Sequence, residues 1–180
     1  SFIGQDTSDP LNTGLVGYWK MDDGVGNPCA AGVTKACDSS GNGNVGTWSG
    51  GTASTSGKFG FATRYDGIDD FFTIPTNSLY DTTTFTTSFW IKPLTLKGGN
   101  RYFNIIMGRD NYPTSGFRFG LNSDGAPSFW TSQSGGSIDD LTSSQPITTS
   151  IFSHVVVTYD GTQAKMFING IETASATGTY

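Results

Sequence analysis

The sequence predicts an all-β protein built of two antiparallel sheets packed face to face, and three observations support this fold class. First, apolar and polar residues alternate in short runs. In the segment 85–93 (FTTSFWIKP), Phe85, Thr87, Phe89 and Ile91 fall on one face of an extended strand. Second, Asn-Gly and Asp-Gly steps separate such runs, and these steps are the strongest short-range signal for hairpin turns. Third, no stretch shows sustained helical periodicity.

The first half of the chain contains few strand signals and one long polar segment. Residues 1–13 lack periodicity and carry an Asp-Pro step, which predicts a linker or N-terminal arm. A polar stretch over 22–44 carries both cysteines. The strands predicted in this half are, in order, 15–21, 59–65 and 71–74, and the last two flank the turn 66–70 (DGIDD).

The second half is denser in strand signals. After 85–93, the predicted strands are 102–107, 117–121, 127–131, 152–159 and 165–168. The step NSDG joins 117–121 to 127–131, and Asp160-Gly161 joins the last two. Asn169-Gly170 then opens a final extended segment, so this half of the chain is predicted to form a series of hairpins.

Charge and composition exclude two classes of function. The formal net charge is −5, and a chain without a basic patch is poorly suited to neutralise nucleic-acid phosphates. No apolar run approaches the length of about 18 residues that a membrane-spanning helix needs. The acid is almost entirely aspartate, with Glu172 as the one glutamate. Because Asp is a turn former and a common oxygen ligand for Ca²⁺, this bias favours binding over catalysis.

Two cysteines, Cys29 and Cys37, flank the segment AAGVTKA. They could be free thiols of a cytosolic loop, or a disulfide that closes a small loop in an exported protein. A single histidine does not provide enough ligands for a Cys/His zinc site. The disulfide is the favoured interpretation of the two cysteines. It would stabilise the fold by about 2–3 kcal/mol and predicts an extracellular location.

Five segments resemble, in the same order, the blocks of the laminin-G-like (LamG) family of concanavalin A-like jelly rolls: 14–23, 38–47, 61–75, 85–93 and 154–172. The resemblance implies a jelly-roll sandwich over residues 14–180. The fold hosts lectins, adhesion modules, carbohydrate-binding modules and some hydrolases, so it does not by itself assign a ligand.

Family members usually continue beyond the segment that ends here at Tyr180, with a loop and closing strands. The resemblance therefore implies that the jelly roll lacks its usual C-terminal strands. Three explanations are open: a truncated or processed chain, a different closure, or a strand supplied by a second polypeptide. Residues 1–13 could also cover the gap.

Two places could hold Ca²⁺. The turn DGIDD puts Asp66, Asp69 and Asp70 close together, where a cation, backbone N–H donors or solvent must relieve their repulsion. A hairpin turn whose Asp side chains bind their own loop is favoured there over a calcium site, to which Asp22 and Asp38 could add ligands.

The second place is the step GRDN at the end of a strand. By resemblance to pentraxin relatives, Asp110 and Asn111 could provide calcium ligands. An ordinary polar turn before Pro113 is the favoured alternative, because such short steps are common in loops.

Aromatic and cationic side chains give a weaker candidate for ligand binding. Sugars often stack on exposed aromatic rings, although most aromatic residues fill the core of a sandwich. Trp19 and Phe89 are assigned to the core. The candidates for a surface site flank loops at one end of the central region and are Arg109, Tyr112, Arg118 and Trp130.

Catalysis is not expected. Hydrolases of the resembled fold use paired carboxylates, typically two Glu and an Asp on one strand, and Glu172 alone cannot provide them. His154 opens a strand and is expected to pack and hydrogen-bond. The prediction is a secreted or cell-surface recognition module for glycan or a surface protein, with Ca²⁺ as a candidate cofactor. The alternative is an assembly module of a surface appendage, completed by a strand from another polypeptide.

Overall fold

A computed structural model describes residues 12–23, 29, 31–32, 34–99, 104–111, 115–131 and 141–178. The chain divides into two compact units, Ser1–Asp81 and Thr82–Tyr180. Both units are built of antiparallel strands, which confirms the predicted all-β fold class. None of the helices in the described part of the chain is long and apolar enough to cross a membrane. The single domain expected over 14–180 stays a prediction.

Among its described residues, the first unit has five short strands and a 3₁₀ turn at Ser78–Tyr80. The strands are β1 (Lys35–Ala36), β2 (Gly46–Ser49), β3 (Ala53–Ser56), β4 (Phe61–Arg64) and β5 (Phe71–Thr73). They form a three-stranded sheet in the order β1-β2-β5 and a separate two-stranded ribbon, β3-β4. A tight turn, in which the Gly57 N–H donates to the Gly60 carbonyl at 2.9 Å, joins the two ribbon strands.

The prediction of a strand over 15–21 is wrong for the described residues, which form only an isolated bridge between Trp19 and Asp38 there. The reason is that side chains, rather than a neighbouring strand, bind this backbone. Asn42 Nδ2 donates to the Leu15 carbonyl at 2.9 Å, and Asn44 Nδ2 donates to the Val16 carbonyl at 2.9 Å. Alternation in the sequence predicted an extended chain but could not show what its backbone would bind.

The turn 66–70 is not a hairpin turn, which corrects a second prediction. Strand β4 pairs with β3, and β5 pairs with β2, so the turn crosses from the ribbon to the three-stranded sheet. Trp19 packs in this unit as well, half-buried with its ring edge against Phe72 at a centroid distance of 6.1 Å.

The second unit is a two-sheet sandwich. Its strands are β6 (Phe85–Ile91), β7 (Ile105–Asn111), β8 (Ser115–Leu121), β9 (Pro127–Thr131), β10 (Leu141–Thr142), β11 (Ser153–Tyr159), β12 (Gln163–Ile168) and β13 (Ile171–Thr177). One sheet has the order β10-β9-β8-β7 and the other the order β13-β12-β11-β6. All described pairs are antiparallel, which confirms the predicted sandwich.

The hydrophobic core lies between these two sheets. Phe119, Val155, Val157 and Met166 are fully buried in it. Rings from opposite sheets meet directly, since Phe85 stacks on Phe117 and Phe89 meets Phe119 edge-on, each at a centroid distance of 5.1 Å. Every second residue of β6 is half-buried while the intervening ones are exposed, as the alternation in 85–93 predicts. Phe89 therefore packs against the core, as expected.

The predicted hairpins of this unit are confirmed. Strands β8 and β9, β11 and β12, and β12 and β13 pair across their predicted turns. Asn169 and Gly170 have φ values of 50° and 83°, the positive values that a type I′ hairpin turn requires. At the preceding turn, Asp160 Oδ1 accepts from the N–H groups of Thr162 and Gln163 at 2.9 and 2.8 Å.

Candidate functional site

The strongest cluster of chemistry-bearing side chains is the acidic turn, formed by Asp66, Asp69 and Asp70. One carboxylate oxygen from each residue lies within 4.8 Å of the other two. Asp66 and Asp69 are exposed, and Asp70 is half-buried. The turn connects two different sheets of the first unit, and within it the three carboxylates lie close together.

Hydrogen bonds within the acidic turn fix two of its carboxylates. The Ile68 N–H donates to Asp66 Oδ1 at 2.8 Å, and the Asp69 N–H donates to the same oxygen at 3.4 Å. The Asp66 N–H donates to Asp70 Oδ2 at 2.8 Å. These bonds confirm the prediction that Asp side chains of this turn hydrogen-bond to the backbone of their own loop. Each of the two carboxylates keeps a second oxygen that can face a ligand.

The backbone donors also set the charge of the turn. The Ile68 N–H, assisted by other N–H groups of the turn, holds the pKa of Asp66 below its usual value. Asp66 therefore stays ionised at neutral and mildly acidic pH, and the turn presents a concentrated negative charge to solvent.

The donor set fits a calcium ion in kind and spacing. Ca²⁺ binds oxygen at roughly 2.3–2.6 Å, so two oxygens on opposite sides of one ion lie about 5 Å apart. The three oxygens of the acidic turn satisfy this limit. Ca²⁺ takes about six to eight oxygens, so the turn can supply three and must leave the rest to carbonyl groups, water or ligand.

The additional ligands considered for this site do not join it. Among the described residues, Asp22 and Asp38 lie outside the acidic cluster. Asp38 has a structural role, because Oδ1 accepts from the Tyr18 and Ser40 N–H groups and Oδ2 accepts from the Asn44 N–H, each at 2.9 Å. Burial acts to raise the pKa of Asp38, but these hydrogen bonds outweigh it and lower the pKa overall.

Gly50 is a residue of the site that sequence reasoning missed. It follows β2 with a φ of +93°. A Cβ atom at this position would lie 2.5 Å from the Asp69 carbonyl oxygen and 2.6 Å from the Asp70 Cα. The connection from β2 to β3 thus rests directly on the acidic turn, and only glycine allows this approach. The Gly50-Gly51 step between two strands was the available signal.

The second calcium candidate lies in the second unit. Asp110 and Asn111 are the last residues of β7, where they pair with Gly116 and Ser115 of β8. The segment is therefore at a strand end, as predicted, but the polar-turn interpretation of these two residues is wrong because they are paired strand residues. Their backbone alone is described, so their role as calcium ligands stays a prediction.

The four residues proposed for a surface site do not lie on one surface. Arg118 pairs with Trp130 across β8 and β9, so both point to the same face of the sheet. Arg109 pairs with Phe117, which lies on the opposite face and packs against the core. Trp130 is only 6% exposed, so its ring does not form an open stacking surface. Tyr112 lies outside the described residues.

The predicted disulfide is present. Cys29 and Cys37 are bonded with a Cα–Cα distance of 5.2 Å. The bridge also ties down a carboxylate, because the Cys37 N–H donates to Asp23 Oδ2 at 3.0 Å. This hydrogen bond links the disulfide-closed loop to Asp23, the last described residue of the segment before the loop.

The residues considered for catalysis have other partners. Glu172 forms an exposed ion pair with Lys165 at 3.2 Å. The His154 ring nitrogen Nε2 lies 2.8 Å from Ser88 Oγ, and its ring stacks on Trp90 at a centroid distance of 5.0 Å. His154 thus packs and hydrogen-bonds, as expected for a structural residue.

Solved structures similar to this chain include the following three. Domain 4 of AbnA, a GH43 extracellular arabinanase from Geobacillus stearothermophilus in complex with arabinotriose, is 24% identical with a TM-score of 0.60, over 78% of this chain and 68% of that one. The binding domain of Paraclostridial Mosquitocidal Protein 1 is 21% identical with a TM-score of 0.64, over 80% of this chain and 38% of that one. An S-layer domain-containing protein from Clostridium thermocellum is 22% identical with a TM-score of 0.59, over 89% of this chain and 71% of that one.

These likenesses establish the fold alone, because the sequence identity to each structure is at most 24%. A comparison with curated proteins gives no match. A family model provides the assignment: Laminin_G_3, described as the concanavalin A-like lectin/glucanases superfamily, matches residues 66–180. The match begins at the acidic turn and runs through both sheets of the sandwich. The chain therefore belongs to the Laminin_G_3 family of the concanavalin A-like lectin/glucanase superfamily.

Proposed function

We propose that this chain is a non-catalytic, extracellular recognition module that binds glycan with the help of Ca²⁺ at the acidic turn. The observation that carries the proposal is the convergence of the Asp66, Asp69 and Asp70 carboxylates within 4.8 Å in a lectin-type fold. Two solved relatives in fold support a binding role, since one is the binding domain of its protein and the other is in complex with arabinotriose.

The three aspartates of the acidic turn would contribute differently to such a calcium site. Asp66 and Asp70 are oriented by backbone N–H groups, so they are preorganised to bind a cation. Asp69 adds a third carboxylate from an exposed position. Ca²⁺ bound there would neutralise the three carboxylates and offer its remaining coordination positions to hydroxyl oxygens of a ligand.

An extracellular location agrees with the chemistry of the first unit. The Cys29–Cys37 disulfide is a bond that persists in oxidising compartments and is rare in the cytosol. One relative in fold is an extracellular arabinanase and another belongs to an S-layer domain-containing protein. The ion pair of Glu172 and the ring stack of His154 support the non-catalytic part of the proposal.

A glycan array probed in Ca²⁺ and again in EDTA tests this function, with arabinotriose included as a soluble competitor. Binding that EDTA abolishes and Ca²⁺ restores is expected. Asp69→Asn should weaken Ca²⁺ binding measured by calorimetry, because it removes one charge without breaking a backbone hydrogen bond. Asp22→Asn removes the same charge outside the cluster and should have no such effect. Absence of binding to any saccharide would refute the proposal.

An assembly module of a surface appendage is the second candidate. The observation that favours it is the fold likeness to the S-layer domain-containing protein, which extends over 89% of this chain. In this role a second polypeptide would add a strand to one of the sheets through main-chain hydrogen bonds. Analytical ultracentrifugation of the purified chain checks it, since assembly requires concentration-dependent association and a recognition module does not.

A further inference from the structure

A groove of about 520 Å³ lies in the first unit beside the acidic turn. This volume falls within the range of roughly 300–1,000 Å³ that small-molecule sites occupy. The groove runs from the end of β2 across the Gly50-Gly51 step to the β3-β4 ribbon. Trp48 and Asp23 are its two most distinctive lining residues, and no site prediction from the sequence included Trp48.

The lining is rich in hydroxyl groups. Five of the ten described lining residues carry one, and they are Thr34, Ser49, Thr52, Ser54 and Thr63. Gly50, Gly51 and Ala53 have little or no side chain, so they leave the backbone accessible to a ligand. Hydroxyl and backbone groups can each donate and accept hydrogen bonds, which matches the alternating donors and acceptors of a sugar ring.

Asp23 supplies the charged acceptor. Its Oδ2 accepts from the Cys37 N–H at 3.0 Å, so the disulfide loop holds the carboxylate in place. Burial raises the pKa of Asp23, with the neighbouring Asp22 adding to the effect, although the Cys37 hydrogen bond opposes it. Hydrogen bonds from a ligand hydroxyl to Oδ1 would be charge-assisted and stronger than those between neutral groups.

Trp48 forms part of the groove wall. The side chain is 9% exposed, and its Nε1 is buried without a hydrogen bond among the described residues. Burial raises the pKa of Tyr65 to about 12 even though the indole N–H acts to lower it.

We propose that this groove is a subsite for a short neutral saccharide, with Asp23 accepting ring hydroxyls and Trp48 forming part of the groove wall. The ligand is neutral because Asp23 is the charged group among the described lining residues and the acidic turn adds further negative charge nearby, so uronic and other acidic sugars are repelled. The inference rests on the proposed recognition function and assigns its ligand class and contacts.

The test compares groove variants on an array of immobilised neutral and acidic glycans. Asp23→Asn keeps the side-chain shape but removes the charge, and Ala53→Phe fills the groove from an exposed strand position. Asp124→Asn is the matched control, because Asp124 likewise accepts one backbone N–H, from Ala126 at 2.9 Å. Trp48→Phe has Trp90→Phe as its control. Circular dichroism confirms that each variant is folded.

Each groove variant should lose binding by roughly ten- to hundredfold, the loss expected when a hydrogen bond to a charged group is removed. The two control variants should bind like the wild type, and acidic glycans should bind to none. If the wild type binds saccharide and both Asp23→Asn and Ala53→Phe bind equally well, the groove assignment is overturned while the recognition function stands. If the wild type binds no saccharide, the recognition function fails and the groove assignment fails with it.

Discussion

Gly50→Ala tests whether the connection from β2 to β3 rests on the acidic turn. The φ of +93° disfavours any residue with a Cβ by about 1–2 kcal/mol. The new methyl group would also lie 2.5 Å from the Asp69 carbonyl oxygen and 2.6 Å from the Asp70 Cα, and both are backbone atoms that cannot rotate away. Overpacking of this kind costs about 1–3 kcal/mol. The expected loss in the free energy of unfolding is therefore about 2–5 kcal/mol.

Gly60→Ala separates the two contributions. Gly60 also has a positive φ, +65°, but a Cβ there would meet no atom within 4 Å. It should lose only the conformational share, about 1–2 kcal/mol. Urea denaturation followed by tryptophan fluorescence measures both variants, since Trp48 lies two residues before Gly50. Equal losses in the two variants would show that Gly50 does not press on the turn and would refute the reasoning.

Further variants probe the disulfide, the half-buried Asp38 carboxylate and the core. Replacing Cys29 and Cys37 together by Ser should lower the free energy of unfolding, measured in urea, by about 2.5 kcal/mol according to the loop-entropy relation. A Ser variant as stable as the disulfide-bonded wild type would contradict this. The pKa of Asp38 is lowered on folding, so its stabilisation is present above its ordinary pKa of 3.8 and is lost as pH falls below it. Asp38→Asn should consequently flatten the acid limb of a stability–pH curve, and identical limbs would exclude this role. Phe119→Ala should cost about 3–5 kcal/mol in urea because the ring is fully buried, whereas Phe59→Ala, at a side chain 74% exposed, should cost under about 0.5 kcal/mol.

Much of the second unit could be predicted because its strands obey local rules. The side chains of Phe85 and Phe89 alternate with polar residues, and the half-buried face of β6 follows this alternation. The turn at Asn169-Gly170 requires positive φ values that few other residue pairs adopt easily, so the local sequence is sufficient to predict this hairpin. In both cases the determining interactions lie within a few residues.

The first unit was harder to predict because its structure depends on distant side chains. Asn42 and Asn44 bind the carbonyl groups of Leu15 and Val16 from 27 and 28 residues away, and they replace the strand partner that alternation implies. The turn 66–70 looked like a hairpin because apolar runs flank it. Alternation specifies that two strands exist but not that they pair with each other.

The candidate sites divide in the same way. The convergence of Asp66, Asp69 and Asp70 could be predicted because they are neighbours in one turn. The grouping of Arg109 with Arg118 failed, because the register of β7 against β8 places them on opposite faces, and a register cannot be read from either strand alone. Gly50 and Asp23 were missed since their roles depend on contacts with residues 14 to 20 positions away.

The abundance of aspartate now separates into two physical roles. Asp38, Asp66 and Asp160 have lowered pKa values because backbone N–H groups bind their carboxylates, so they shape loops. In the proposed function, Asp66 also joins Asp69 and Asp70 in binding a cation at the turn, and in the proposed subsite Asp23 accepts hydroxyls of a sugar in the groove. Gly50 contacts the turn and lines the groove, so an ion bound on one side would stiffen the wall of the other. Under the two proposals, we therefore expect saccharide binding in the groove to depend on Ca²⁺ bound at the acidic turn.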